Sequence, residues 1–358
     1  AHAVDAPRFD ETGHHYDAIL VQSFGGPEGP DDVMPFLENV TRGRNIPPTR
    51  LAEVAEHYLH FGGVSPLNGQ NRALIAALER ELSDHGIDLP IYFGNRNWRP
   101  FLTDAIGDMH AAGVRRALVF VTSGFSSYSG CRQYREDIER AMSELGLTDD
   151  DIAFDKIRVF YNHPGFVAAM ADRLRDALAT FPAIDRAAVE TIFTAHSIPQ
   201  SMARGSAYVA QLRESCRLVA EAAGVAHWRL AFQSRSGPPQ VPWLEPDILD
   251  ALDAVAAAGA ENVAVVPIGF ISDHMEVLFD LDEEAAARAA ALGMTLARAG
   301  TAGTHPAFVA MIRELIEERM TDRPIRRALG GRGPSHDICP LNCCLIGATR
   351  PVPSAAAV

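Results

Sequence analysis

Three groups of residues carry side chains able to do chemistry. The first is His196. In Thr191-Ile192-Phe193-Thr194-Ala195-His196-Ser197-Ile198-Pro199, an apolar run long enough for one strand ends in an imidazole, and a proline then stops the extended pattern. In parallel α/β sheets, ligands collect at the carboxyl ends of strands. The second group follows another apolar run, Val263-Ala264-Val265-Val266-Pro267-Ile268-Gly269-Phe270, which leads into Asp273-His274-Met275-Glu276. An imidazole and a carboxylate at two strand ends predict a cleft that handles protons or a metal ion, against the commoner role of such a histidine as a structural hydrogen-bonding residue. Glu276, Asp280 and Glu284 stand at i, i+4 and i+8, one acidic stripe if the segment is helical. Like charges at that spacing repel, and no lysine lies nearby. The stripe is either a solvated face or a relay of carboxylates for protons or a hydrated cation. Oxygen ligands suit hard divalent cations, and iron(II) accepts imidazole with carboxylate.

The third group is the cysteines. Three of the five lie in Cys339-Pro340-Leu341-Asn342-Cys343-Cys344, near the end of the chain. Three thiolates and one more could hold a tetrahedral zinc ion or an iron–sulfur cluster. Cys216 falls in an amphipathic helical pattern and reads as a small buried hydrophobe. Cys131, in Ser129-Gly130-Cys131-Arg132-Gln133-Tyr134 beyond a strand end, is the better fourth ligand. Thiols or metal ligands, rather than disulfides, point to the cytoplasm.

Several chemistries are excluded. Gly25-Gly26-Pro27 is not a dinucleotide fingerprint, and neither a P-loop nor a G-x-S-x-G elbow is present. His274-x-Glu276 lacks the P-C-x-x-C that a zinc deaminase needs. The net charge of −14 argues against a nucleic-acid partner. No apolar run is long enough to span a bilayer.

The elements that must position these groups alternate between strand and helix. Strands are expected at 18–23, 91–94, 117–122, 157–161, 189–195, 229–233, 263–269 and 294–297, with helices at 72–85, 166–180, 208–223, 248–258 and 306–320. Such alternation predicts an α/β protein of right-handed βαβ units. The strands divide into two sets of four, giving a first Rossmann-like half over 14–183 and a second over 184–303, each with a parallel four-stranded sheet flanked by helices. A helix over 304–329 packs back on the core. Residues 330–358, rich in Gly, Pro and Ala, form a cysteine-containing tail too poor in large apolar side chains to be ordered by packing.

Taken together these residues resemble the ferrochelatase family, which inserts iron(II) into porphyrins. The resemblance runs from about Tyr16 to Met320. It is most specific at Phe193–Pro199, at Gln233-Ser234-Arg235 with Pro242-Trp243-Leu244-Glu245-Pro246, and from Gly269 to Leu278, and Gly62-Gly63-Val64-Ser65-Pro66-Leu67 adds to it. It implies two Rossmann-like halves around a porphyrin cleft. It implies that His196 and Glu276 are the catalytic, iron-handling pair, that Asp280 and Glu284 continue an acidic relay, and that Ser65, Tyr134 and Tyr58 contact the macrocycle. Phe24 also falls in the substrate site. It replaces a tyrosine of many bacterial members, which removes an axial oxygen. A neutral His196 imidazole would accept a pyrrole proton or hand over iron. The cysteine set is similar to that of actinobacterial members, which implies a [2Fe–2S] cluster on Cys131, Cys339, Cys343 and Cys344, with coproporphyrin III and ferrous iron as substrates. Protoporphyrin IX as substrate, or a haem or porphyrin carrier without turnover, are the alternatives. A monomer is expected, with room for peripheral membrane contact.

Overall fold

The computed structural model describes residues 6–43 and 46–346. Its frame is a pair of parallel sheets. The first is built from β1 (Ala18–Ser23), β2 (Ile91–Asn95), β3 (Arg116–Val121) and β4 (Ala153–Lys156), in the order β2-β1-β3-β4. The second is built from β5 (Glu190–His196), β6 (Trp228–Gln233), β7 (Asn262–Val266) and β8 (Thr295–Arg298), in the order β6-β5-β7-β8. The same order twice, with every pairing parallel, is the predicted Rossmann-like arrangement. The central strands carry near-continuous apolar runs because helices cover both sheet faces. All six residues of β1 are buried.

One expected strand is displaced. Residues 157–161 are irregular, and β4 is the preceding tetrapeptide, whose register with β3 pairs Arg116 with Ala153 and Val119 with Lys156. The apolar run at 157–161 is buried for a different reason. It passes under the last helix, where Phe160 stacks on Phe120 at 5.6 Å and packs against Phe308 at 5.8 Å. Arg158, within that run, reaches Glu318 through two hydrogen bonds of 2.8 Å, and both side chains are almost fully buried.

The halves share one core. A continuous cluster joins Ile19 and Phe120 of the first sheet to Phe193 and Val266 of the second. The helix Pro164–Ala179 closes the first half in sequence yet packs on helix Tyr208–Ala223 and on β7. The final helix, Pro306–Met320, crosses back onto helices Pro164–Ala179 and Pro66–Asp84. Among the described residues, no helix is long and apolar enough to cross a membrane.

The tail is better anchored than its composition suggests, as far as residue 346. Asp337 pairs with Arg326 at 2.7 Å, Ile338 bridges Arg8, and buried Asn162 donates to the carbonyls of Leu329 and Gly333 at 3.1 and 2.9 Å. The remainder of the expected tail, 347–358, lies outside the described residues.

Candidate active site

His196 is the last residue of β5, in register with Gln233 at the end of β6. The chain beyond it is braced. Ser197 N donates to Gln233 O at 2.8 Å, and the Ser197 hydroxyl donates to Leu244 O at 2.8 Å. Leu244 N in turn donates to Ile198 O at 3.0 Å. The Pro242-Trp243-Leu244 segment thus props the loop that carries the imidazole. From the other side, the Tyr208 hydroxyl donates to the His196 carbonyl at 3.0 Å. Gly269 closes in on β5 so tightly that a Cβ there would sit 2.6 Å from Ala195 Cβ, and this approach brings the loop after β7 beside His196.

That loop presents the acid. His274 caps the short helix Met275–Val277, its Nδ1 accepting from Glu276 N at 3.2 Å. Glu276 Oε2 then lies 3.4 Å from His196 Nε2. From Leu278 to Ala285 the helix widens into a π-helix. In an α-helix, residues four apart drift by about 40° around the axis. A π turn holds more than four residues, so the drift there runs the other way, and Asp280 stays near enough to Glu276 and Glu284 to feel both charges. The Asp280 carboxylate accepts from Gln233 Nε2 at 3.2 Å and from the Ser234 hydroxyl. Ser234 takes φ of 61°, a left-handed conformation uncommon outside glycine.

The electrostatics divide the acids by role. His196 and Glu276 keep side-chain accessibilities of 31% and 47%, so solvent still reaches both. Burial opposes charge on His196. The facing Glu276 carboxylate, with help from the Ser197 carbonyl and Asp280, overrides it and raises the imidazole to about 9. Burial would likewise raise Glu276, but His196 holds it down at about 2. The pair is therefore imidazolium–carboxylate at neutral pH, not the expected neutral imidazole, because a carboxylate faces the ring. Asp280 is lifted to about 7, chiefly by burial, with Glu276 and Glu284 adding repulsion against the hydrogen bonds from Ser234 and Gln233. Burial also raises Glu284, farther out. His274 is lowered by burial.

The first half contributes from above. Tyr58, on helix Pro48–His60, is raised by burial and then by the charge of Glu276. On the same helix, His57 stacks on Phe279 at 4.1 Å and His60 meets Glu283 at 2.7 Å. Phe24 is 37% exposed, edge-on to Phe36 and beneath the Arg96 guanidinium at 5.8 Å. Two other expected contacts lie deeper. Ser65 is buried as the N-cap of helix Pro66–Asp84, with its hydroxyl accepting from Leu67 N. Tyr134 is buried with Arg96 4.1 Å over its ring. The sequence assigns no role to Gln233, Ser234, His274 or Tyr208. Their signal in the sequence is the Gln233-Ser234-Arg235 motif, which marks the first two without saying what they hold.

The cysteines converge separately. Cys131 sits in a π turn, Tyr128–Arg132, after β3. It acts on Cys339 and Cys344, Cys339 acts on Cys343, and the Cys343 and Cys344 sulfurs lie 3.6 Å apart. Arg132 donates to Leu341 O at 2.7 Å and Cys343 O at 3.2 Å, which pins the tail over this turn. The ligating atoms of His336, Cys339 and Cys343 also fall within 4.8 Å of one another. Cys216 is buried elsewhere, in helix Tyr208–Ala223.

Comparison with known proteins fits this geometry. The family profile described as Ferrochelatase matches residues 16–320. The chain is 57% identical to the ferrochelatase of Rhodopirellula baltica, over 94% of this chain and 95% of that protein. It is 55% identical to the coproporphyrin III ferrochelatase of Frankia alni, over 92% and 86% respectively. It is 50% identical to the coproporphyrin III ferrochelatase of Streptomyces griseus, over 95% and 96%. Among solved structures, SirB from Bacillus subtilis with Fe3+ aligns at a TM-score of 0.52 and 15% identity, over 86% of this chain and all of that one, a likeness of fold alone.

Proposed function

Because the chain belongs to the ferrochelatase family and so inserts iron into a porphyrin in haem biosynthesis, we propose that its porphyrin is coproporphyrin III and its product coprohaem. Support for this choice comes from relatives of that name at 50 and 55% identity. The observation that carries the catalytic reading is the His196–Glu276 pair at 3.4 Å, backed by Asp280.

The reaction exchanges two pyrrole protons for one iron(II) ion. A flat porphyrin keeps its nitrogen lone pairs in the ring plane. Bending the ring exposes one face, at a strain offset by contacts elsewhere on the macrocycle. Glu276 is anionic at neutral pH and draws iron(II) toward the ring. An approaching dication repels the His196 proton and competes for its partner carboxylate, which frees the imidazole to act as base or ligand. Asp280, near 7, can take protons at physiological pH, since a group whose pKa matches the ambient pH transfers protons most effectively. Gln233 and Ser234 hold that carboxyl in place. Glu284, farther along the line, leads toward solvent.

The four converging sulfurs fit a [2Fe–2S] cluster held by Cys131, Cys339, Cys343 and Cys344, and the positive charge of Lys156 acts on Cys131 and Cys339 in the sense that favours thiolates. Bound there, a cluster would supply a one-electron couple and a covalent brace for the tail. Zinc is the second reading, favoured by His336 beside Cys339 and Cys343. Ligand thiolates of this kind suit a reducing compartment, and we place the protein in the cytoplasm.

Anaerobic assays with iron(II) and either coproporphyrin III or protoporphyrin IX test the substrate. A higher kcat/KM for coproporphyrin III is expected, and the reverse order overturns the choice. Anaerobically purified protein should be coloured, with equal iron and labile sulfide. Colourless protein with one zinc ion overturns the cluster. Cys216→Ser should keep the colour, and Cys343→Ser should lose it and open residues 330–346 to proteolysis.

A further inference from the structure

A cavity of about 610 Å³, whose lining does not include His196, lies between helix Tyr208–Ala223, the preceding turn and the tail. It gathers four arginines, Arg204, Arg213, Arg217 and Arg332, in a chain whose net charge is −14. Arg217 pairs with Glu214 at 3.0 Å and Glu221 at 2.8 Å. Arg204, Arg213 and Arg332 form no ion pair with a carboxylate of the described residues. Glu214 also lines the hollow, and its carboxylate acts on Arg332 as well as on Arg217, which leaves Arg204 and Arg213 uncompensated; an anion there accepts their fork-shaped donors. The wall is not all charge, because the Trp228 indole lines it too.

The geometry is built, not incidental. Arg332 enters from the tail, whose path is fixed by the two Asn162 hydrogen bonds to Leu329 and Gly333. Gly330 takes a left-handed φ of 75° against the Glu214 carboxylate, which seats the tail on the helix. The volume is in the range of small-ligand sites. We propose that this cavity binds a small organic polyanion: a flat apolar body against Trp228, carrying two or more carboxylate or phosphate groups toward the arginines. The site neighbours the catalytic strand through its own elements, since Arg204 ends the helix after Pro199 and Tyr208, which opens the lining helix, donates to the His196 carbonyl.

The test is equilibrium titration of the full-length protein with pyrophosphate, ATP and trimesate, read by calorimetry and tryptophan fluorescence. ATP or trimesate should bind saturably and at least about tenfold more tightly than pyrophosphate, about 1.4 kcal/mol, because only they offer an aromatic face. ATP ahead of trimesate identifies phosphate as the preferred head group, and the reverse identifies carboxylate. Arg213→Glu and Arg332→Glu should each weaken binding by at least about tenfold. Trp228→Phe should keep much of the affinity that Trp228→Ala loses. The exposed arginine positions allow a parallel check that Tm is unchanged. The proposal is overturned if none of the probes saturates, if both arginine variants keep their Tm and full affinity, or if His196→Ala abolishes binding while the arginine variants do not.

Discussion

At the scale of single residues, the His196–Glu276 contact sets the charge on both partners. Removing the carboxylate leaves burial as the dominant influence, and burial disfavours imidazolium. In Glu276→Gln, the His196 pKa should therefore fall from about 9 to below its ordinary 6.5, as followed by histidine NMR titration. A pKa that stayed near 9 would mean that Glu276 is not the governing charge. The linkage has a definite sign. A raised pKa means that the folded protein holds this proton more tightly than the unfolded chain does. The stabilisation is complete below 6.5 and is lost as pH rises through about 9. Glu276→Gln should remove that alkaline loss from the pH dependence of urea unfolding. His196→Ala should fold and bind porphyrin while iron insertion drops by about 10²–10⁴-fold, the range for loss of a positioned acid–base group. Near-normal turnover in a folded variant would sink the catalytic reading.

At the scale of elements, the site depends on how closely the loop after β7 approaches β5. Gly269→Ala places a methyl within 2.6 Å of Ala195 Cβ and 2.8 Å of Ala195 Cα, and two packed backbones cannot yield without shifting the end of β5. A loss of about 1–3 kcal/mol is expected from overpacking. Turnover should fall more than stability alone explains, because the displaced residue is next to His196. Thermal denaturation and turnover of the same preparation separate the two effects, and unchanged values of both would show that the loop has slack. The π-helix is the other positioning device. Its wider turn keeps Asp280 within reach of Gln233 and Ser234 while Glu276 still faces His196.

At the scale of the whole molecule, the final helix, which follows the second half, is fastened to the first half through a buried ion pair. Arg158 and Glu318 have side-chain accessibilities of 1% and 6%, so removing one strands the other charge in the interior. Glu318→Ala should cost about 3–5 kcal/mol. Glu318→Gln should cost less, because the amide oxygen still accepts from the guanidinium. Equal losses in the two variants, measured by denaturant unfolding, would assign the effect to packing of the helix rather than to the unpaired arginine. The shared core, running from Ile19 through Phe120 to Phe193 and Val266, predicts that the halves unfold in one transition.

Much of this frame is legible in the sequence. A strand covered on both faces must be apolar throughout, so β1, β3, β5 and β7 stand out as short unbroken runs, and the polar residues at their ends mark where a site can form. His196, Glu276 and the three tail cysteines follow from such local patterns. The run at 157–161 shows the limit. Its residues are as apolar as a strand, but what buries them is a helix more than a hundred residues later, and periodicity records that a residue is buried without recording against what. The same limit hides the burial of Tyr134 and the capping of Ser65, which were expected to face a ligand. It also hides the stacking of His57 on Phe279, the pairing of His60 with Glu283, and the charge on His196. Each is a contact between segments distant in the chain. A side chain's charge and exposure depend on such neighbours, and only the tertiary structure supplies them.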